Sequence, residues 1–517
     1  MKKLLSFKSV IIFILILLAG SCSETENRGL NQNVNDEIMY DMPVDGNGVK
    51  LKEDKQQTIY IDDPVDNTEG YDKIVENVFI STKDEATSTF SIDVDNASYS
   101  NIRRFLDYGE LPPPDAVRIE EMINYFDYTY PEPHGEHPFS IITEISDAPW
   151  NTEHRLIHIG IQGKRIDNAD LKPSNLVFLI DASGSMEDAN KLPLLKKSLG
   201  LLLDELSDKD RVSIVVYAGA AGVVLESTPA TEKKAIKKAL DKLSAGGSTA
   251  GGQGIELAYD ICQKNLIQDG NNRIILATDG DFNVGMSSNE EMVDLITEYR
   301  QKYDIYLTIC GFGMGNYKDD KMEQISNAGN GNYFYIDSEK EAEKVFVKDI
   351  RANMFTIAKD VKIQVEFNPD YVLEYRLIGY ENRVLNNEDF DDDKKDAGEL
   401  GAGHTVTAIY EVITTNSSLV TDLMNLKLRY KPIKSETSIL LEQKVKSSDY
   451  IPLQNTSNNF RFSAAVASFG MLLRGSSYIN KFTYDDAIKL TKDSYNKNDE
   501  YQVEFLSLLQ TAKSLVK

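Results

Sequence analysis

Leu176-Val177-Phe178-Leu179-Ile180-Asp181-Ala182-Ser183-Gly184-Ser185-Met186 runs five apolar residues straight into a carboxylate and two hydroxyls. A short unbroken apolar run reads as a strand buried on both faces, so the oxygen groups stand on the loop that leaves it. Two later segments repeat the arrangement. Gly246-Gly247-Ser248-Thr249 forms one loop, and Ile274-Ile275-Leu276-Ala277-Thr278-Asp279-Gly280 is a second apolar strand ending in a carboxylate. Oxygen-only donors gathered at strand ends suit a hard divalent cation, Mg²⁺ before Ca²⁺ or Mn²⁺.

Outward from this stretch, apolar runs alternate with amphipathic helices from Ser174 to about Ile336. Strands are expected at Leu176–Ile180, Val212–Tyr217, Val223–Leu225, Ile274–Thr278, Ile305–Cys310 and Tyr333–Ile336. Helical periodicity fills the gaps; Met292, Leu295, Ile296 and Tyr299 mark one buried face. This alternation predicts a mostly parallel sheet covered on both sides, with ligands beyond the carboxyl ends of its strands. Residues 78–173 read as an α+β module. Residues 339–450 read as a linking helix to about Lys359 and a β-rich module, and 451–517 as a helical tail. A further expectation is that strands before Ser174 pair with strands after Lys359, making the central domain an insertion.

The 517 residues are too many for one ordinary domain. A formal charge of −26 excludes nucleic acid as a natural partner, because phosphate binding needs clustered Lys and Arg. Lys2, Lys3 and Lys8 precede the apolar run Val10–Ala19, then small Ala19-Gly20-Ser21 and Cys22. A run of about ten residues suits a secretory signal and is too short to span a bilayer. Leu18-Ala19-Gly20-Ser21-Cys22 resembles a lipobox, with the aliphatic residue one place further out than usual. That resemblance implies a signal peptide at 1–21 and lipidation of Cys22, with the chain anchored in the cell envelope, at the outer membrane. Several acyl chains on one residue anchor stably, where a single chain is marginal. Residues 22–77, polar and acidic, read as a flexible tether.

Asp181, Ser183 and Ser185, with Thr249 and Asp279, resemble the metal-ion-dependent adhesion site of von Willebrand factor A domains, over the whole of 174–338. The flanks are similar to the bacterial YfbK-like family at Tyr99-Ser100-Asn101-Ile102-Arg103-Arg104-Phe105-Leu106, at Leu111-Pro112-Pro113-Pro114-Asp115-Ala116-Val117-Arg118, at Thr278–Gly285 and at Ala397–His404. The resemblance implies a multidomain α/β chain: a central doubly wound, Rossmann-like von Willebrand factor A domain between an N-terminal α+β module and a C-terminal β-rich and helical one. It also implies that Ser183, Ser185 and Thr249 offer hydroxyls while Asp181 and Asp279 act partly through water. Neutral ligands leave the cation under-neutralised, and a carboxylate from a partner protein fills the remaining place. In related domains movement of the last helix switches affinity.

The expected function is therefore non-enzymatic protein binding or envelope assembly. Two alternatives stand beside it, a structural protein with a vestigial metal site and a metal-dependent hydrolase. Against the hydrolase, position 183 is Ser where an Asp-x-Asp phosphotransferase needs its second carboxylate, and no His occurs between 159 and 403. Elsewhere, His134-Gly135-Glu136-His137 reads as a Pro-flanked surface turn, Asp389–Asp396 as a solvated acidic loop, and Cys262 and Cys310 as small buried apolar residues.

Overall fold

A computed structural model describes residues 69–247, 251–280, 289–315, 318–415 and 421–516. The signal segment, Cys22, Thr249 and Asp281 lie outside the described residues.

The central sheet runs Tyr333–Ile336, Ile305–Phe312, Asn271–Thr278, Ser174–Asp181, Arg211–Ala218, Ala220–Pro229, parallel throughout except for the last pair. All eight residues of Ser174–Asp181 are buried, which is why the strand tolerates no polar alternation. Period two divides its side chains. Leu176, Phe178 and Ile180 pack with Leu195, Leu199 and Leu202 of the helix Leu192–Glu205. Val177 and Leu179 pack on the other face with Ile255, Tyr259, Met292 and Ile296. From Ser174–Asp181 the chain passes to Arg211–Ala218 on one side, and Asn271–Thr278 lies on the other. The strand order therefore reverses beside Asp181, where open α/β sheets bind ligands.

The rest of the chain does not form separate modules before and after this domain. Thr87–Ser91 pairs with Thr356–Phe367, and Asn151–Gly163 pairs with Thr405–Thr414, all antiparallel. Two sheets result, packed through one core that holds Phe90, Ile159, Ile363, Tyr410 and Leu426. The α/β domain is inserted into this sandwich, as the expected pairing requires. Nor do the C-terminal helices hang free. Phe462, Phe469, Phe505 and Leu509 share a core with Ile119, Met122 and Phe126.

Two segments differ from the sequence expectation. The linking helix, expected to reach about Lys359, breaks into Glu339–Glu343, a π-turn at Lys344–Lys348 and Ile350–Met354, and Thr356 already begins a strand. β-Branched Thr356 and Ile357 favour the extended chain, and Thr356–Phe367 carries pairing partners on both sides. The tether, expected to reach residue 77, is docked from Glu69 onward. Glu69 pairs with Arg104 at 2.7 Å, Gly70 bridges to Lys318, and the Asn77 amide donates to the Gly379 carbonyl at 2.9 Å.

Buried arginines clamp the inserted domain to the sandwich and helices. Arg103 meets Asp337 at 2.6 Å, Glu341 at 2.7 Å and Glu504 at 3.0 Å. Arg118 joins Glu121 to Asp319. Guanidinium suits this work because its planar fork bonds several carboxylates at once. No helix among the described residues is long and apolar enough to cross a membrane.

Candidate metal centre

Parallel pairing of Ser174–Asp181 with Asn271–Thr278 sets Ile180 opposite Ala277, so both chains release their carboxylates at the same edge. Asp181 Oδ1 accepts the Ser183 N–H at 2.8 Å, and Oδ2 accepts the Thr278 hydroxyl at 3.3 Å. The Ser183 and Ser185 hydroxyl oxygens lie 3.0 Å apart. The glycine loop is laced to them: Gly246 N–H donates to Ala182 O at 2.9 Å, and Gly184 N–H donates to Gly247 O at 3.1 Å. Gly247 has φ +93° with Ala218 O 3.2 Å from where a Cβ would stand, so a side chain there meets both strain and crowding. Asp181 and Asp279 are fully buried while Ser185 is exposed, so the site opens to solvent on the Ser185 side.

Burial pushes the Asp181 carboxyl up to about 6; the bonds from Ser183 hold it down, and the neighbouring Asp279 adds to the rise. Among the described residues no cation is paired with it; Lys191 serves Asp279 instead. Lys191 Nζ donates to Asp279 Oδ2 at 3.0 Å and to the Ser185 carbonyl at 3.0 Å. Asp181, Asp279 and Lys191, ionised, together carry one negative charge.

This donor set fits a small hard cation. Two cis oxygens on an octahedral ion with bonds of roughly 2.0–2.1 Å stand about 2.9 Å apart, close to the 3.0 Å between the serine hydroxyls. Ser183 and Ser185 would hold the ion directly, with Asp181 and Asp279 behind them. A divalent ion would turn the pocket's charge from −1 to +1, which one incoming carboxylate cancels.

Four of the five expected ligands, Asp181, Ser183, Ser185 and Asp279, are brought to one strand edge; Thr249 lies outside the described residues. Sequence reasoning passed over Lys191 and Thr278. Lys191 had a signal: it stands at the N-cap of Leu192–Glu205, where a cation opposes the helix dipole and needs a carboxylate to compensate it. Among the described residues no three His, Cys, Asp or Glu side chains are placed to hold a metal. His137 instead bonds the Tyr430 hydroxyl at 3.0 Å, while Asp391 pairs with Arg429 and Asp396 with Arg300. Cys262 and Cys310 are buried free thiols.

A doubly wound sheet with these oxygens at its switch point defines a von Willebrand factor type A domain. The profile of that domain matches residues 175–349, that of von Willebrand factor matches 65–158, and that of the C-terminal region of uncharacterized protein YfbK matches 352–515. The chain belongs to the YfbK family: it is 40% identical over 484 residues to uncharacterized protein YfbK of Escherichia coli K12, spanning 89% of this chain and 83% of that one. An uncharacterized Synechocystis protein is 31% identical over 200 residues, covering 39% of this chain and 46% of its own. Among solved structures, a von Willebrand factor type A protein from Catenulispora acidiphila superposes with TM-score 0.43 at 15% identity, covering 74% of this chain and 92% of that one.

Proposed function

We propose that the protein binds other proteins at the cell envelope through a divalent cation, Mg²⁺ before Mn²⁺ or Ca²⁺, held by Asp181, Ser183, Ser185, Thr249 and Asp279. The carrying observation is the pair of mutually hydrogen-bonded serine hydroxyls gathered with two buried carboxylates at one strand edge, with Lys191 trimming the charge. When bound, the ion supplies a positive centre that an acidic side chain of a partner completes. The chain's own part is to orient the hydroxyls, to keep Asp279 fixed through Lys191, and to leave the Ser185 side open. A desolvated ion–carboxylate bond is far stronger than the same bond in water. Cys22 is the proposed lipidation site, anchoring the protein to the outer membrane on its periplasmic or surface face.

The function is non-enzymatic. Support comes from Lys191, the one cation described beside the buried carboxylates, which is held by Asp279 and the Ser185 carbonyl and so is not poised as a base. Calorimetry with Mg²⁺ and Mn²⁺ on the full chain tests the site: one saturable event, lost in Asp181→Ala, is expected, and no saturable binding in the wild type refutes it. Turnover of chromogenic esters or phosphates with Mg²⁺, abolished in the same variant, would instead make the protein a hydrolase. Radiolabelled palmitate retained in wild type but not in Cys22→Ser tests the anchor.

A further inference from the structure

At the opposite end of the central sheet, a cavity of about 830 Å³ lies where both connections to the sandwich cross. One wall is the entering chain around Lys164–Lys172, another the leaving chain Met354–Ile357, and the floor is the start of Asn271–Thr278. Arg273 rises from that floor, 2% exposed.

Each of the other fully buried arginines holds a carboxylate: Arg103 with Asp337, Arg104 with Glu69, Arg118 with Asp319, Arg376 with Glu411. Arg273 forms no such ion pair among the described residues, and the Glu399 carboxylate attracts it only from farther off. Its Nη1 donates to Thr308 Oγ1 at 2.6 Å, its Nε has no hydrogen-bond partner, and the Tyr306 ring centroid is 5.3 Å away. Burial draws the guanidinium down to about 10, so it stays cationic at neutral pH. A buried charge left unpaired is strongly unfavourable, which makes an anion the natural complement of this cavity.

The other charges on the walls are mostly satisfied or mixed in sign. Lys434 pairs with Asp269 at 2.8 Å and Arg165 with Glu132 at 2.8 Å, while exposed Lys164 and Lys172 are balanced by Asp167, Asp170 and Asp304. The remaining lining mixes polar Gln268, Asn271, Asn272 and Thr356 with half-buried apolar side chains, among them Leu171, Ile267, Phe355, Ile357 and Ile433. One guanidinium without an ion pair, in a cavity that also carries this apolar group, calls for a ligand with a single anionic head and an apolar body. The volume lies within the range of roughly 300–1,000 Å³ usual for small-molecule pockets.

We propose that this cavity binds a long-chain carboxylate, its head at the Arg273 guanidinium and its chain along Leu171, Ile267, Phe355 and Ile433. Carboxylate suits a guanidinium because charge-assisted hydrogen bonds from its N–H groups are stronger than neutral ones. The ligand spans both crossings between the α/β domain and the sandwich, so its binding braces that junction.

The test is fluorescence titration of the full chain carrying Cys22→Ser, so that no acyl anchor competes, with cis-parinarate as the probe. One saturable site is expected, weakened at least about tenfold by Arg273→Gln, a drop of about 1.4 kcal/mol. Ile433→Trp, which fills the cavity from a half-buried loop position, should weaken it similarly and covers the case in which Arg273→Gln fails to fold. Palmitate should displace the probe at least about tenfold better than hexadecanol, which lacks the charge. Absence of saturable binding, wild-type affinity in a folded Arg273→Gln or in Ile433→Trp, or equal displacement by hexadecanol would overturn the proposal.

Discussion

Replacing a metal-site carboxylate should make the metal-free protein more stable. Asp181 is fully buried, and its carboxyl rises from an ordinary 3.8 to about 6. A folded-state value above the unfolded one means that the group's favourable contribution is complete below 3.8 and is lost as pH climbs through about 6. The difference corresponds to about 3 kcal/mol at roughly 1.36 kcal/mol per pKa unit. Asp181→Asn keeps the shape and the bond from the Ser183 N–H without taking on charge. Its amide disturbs the bond from Thr278, at about 1 kcal/mol. In chelator at about pH 7.5 the variant should therefore exceed wild type by about 2 kcal/mol, and at about pH 4 the gain should vanish or reverse. Mg²⁺ at 100 times its Kd should restore wild type by about 2.7 kcal/mol and leave the variant unmoved. Urea unfolding followed by circular dichroism, with chelator or with Mg²⁺, measures all four states. Equal or lower stability of Asp181→Asn in chelator near neutrality, or equal stabilisation of both proteins by Mg²⁺, would refute the reasoning.

Three further outcomes follow from the same structure. Arg103→Met removes the cation shared by Asp337, Glu341 and Glu504 and should cost about 3–5 kcal/mol in urea titration, since buried carboxylates are left uncompensated. Gly313→Ala forces a side chain onto a φ of +76° and into Lys191 Cε; it should displace the ammonium from Asp279 and change Mn²⁺ affinity in calorimetry, while Gly222→Ala, with open space around it, should not. Cys262, its thiol pushed up to about 12 by burial, and Cys310, raised further, should resist a chromogenic thiol reagent in the native protein and react at once in denaturant.

The central domain was legible because its signals are local. A strand buried on both faces needs an unbroken apolar run, and Leu176–Ile180 and Ile274–Ala277 supply them. The oxygens of Asp181, Ser183, Ser185 and Asp279 follow directly in the chain, so reading the strands also located the candidate ligands. The burial of the helix Ala97–Asp107 was not legible. Ala97 through Leu106 are all buried, with Arg103 and Arg104 among them, because their charges meet carboxylates hundreds of positions away or in the docked segment at Glu69.

Pattern alone determined the strands and helices of the central domain, the burial of its inner strands, and where oxygen donors cluster, since those properties depend on neighbours within a turn or two of chain. The tertiary structure decided that the two flanks share their sheets across an inserted domain, that Lys191 meets Asp279, and that Arg273 forms no ion pair among the described residues. Those are pairings between distant residues, set by shape and charge complementarity once the chain is compact, and no periodicity within one segment encodes them.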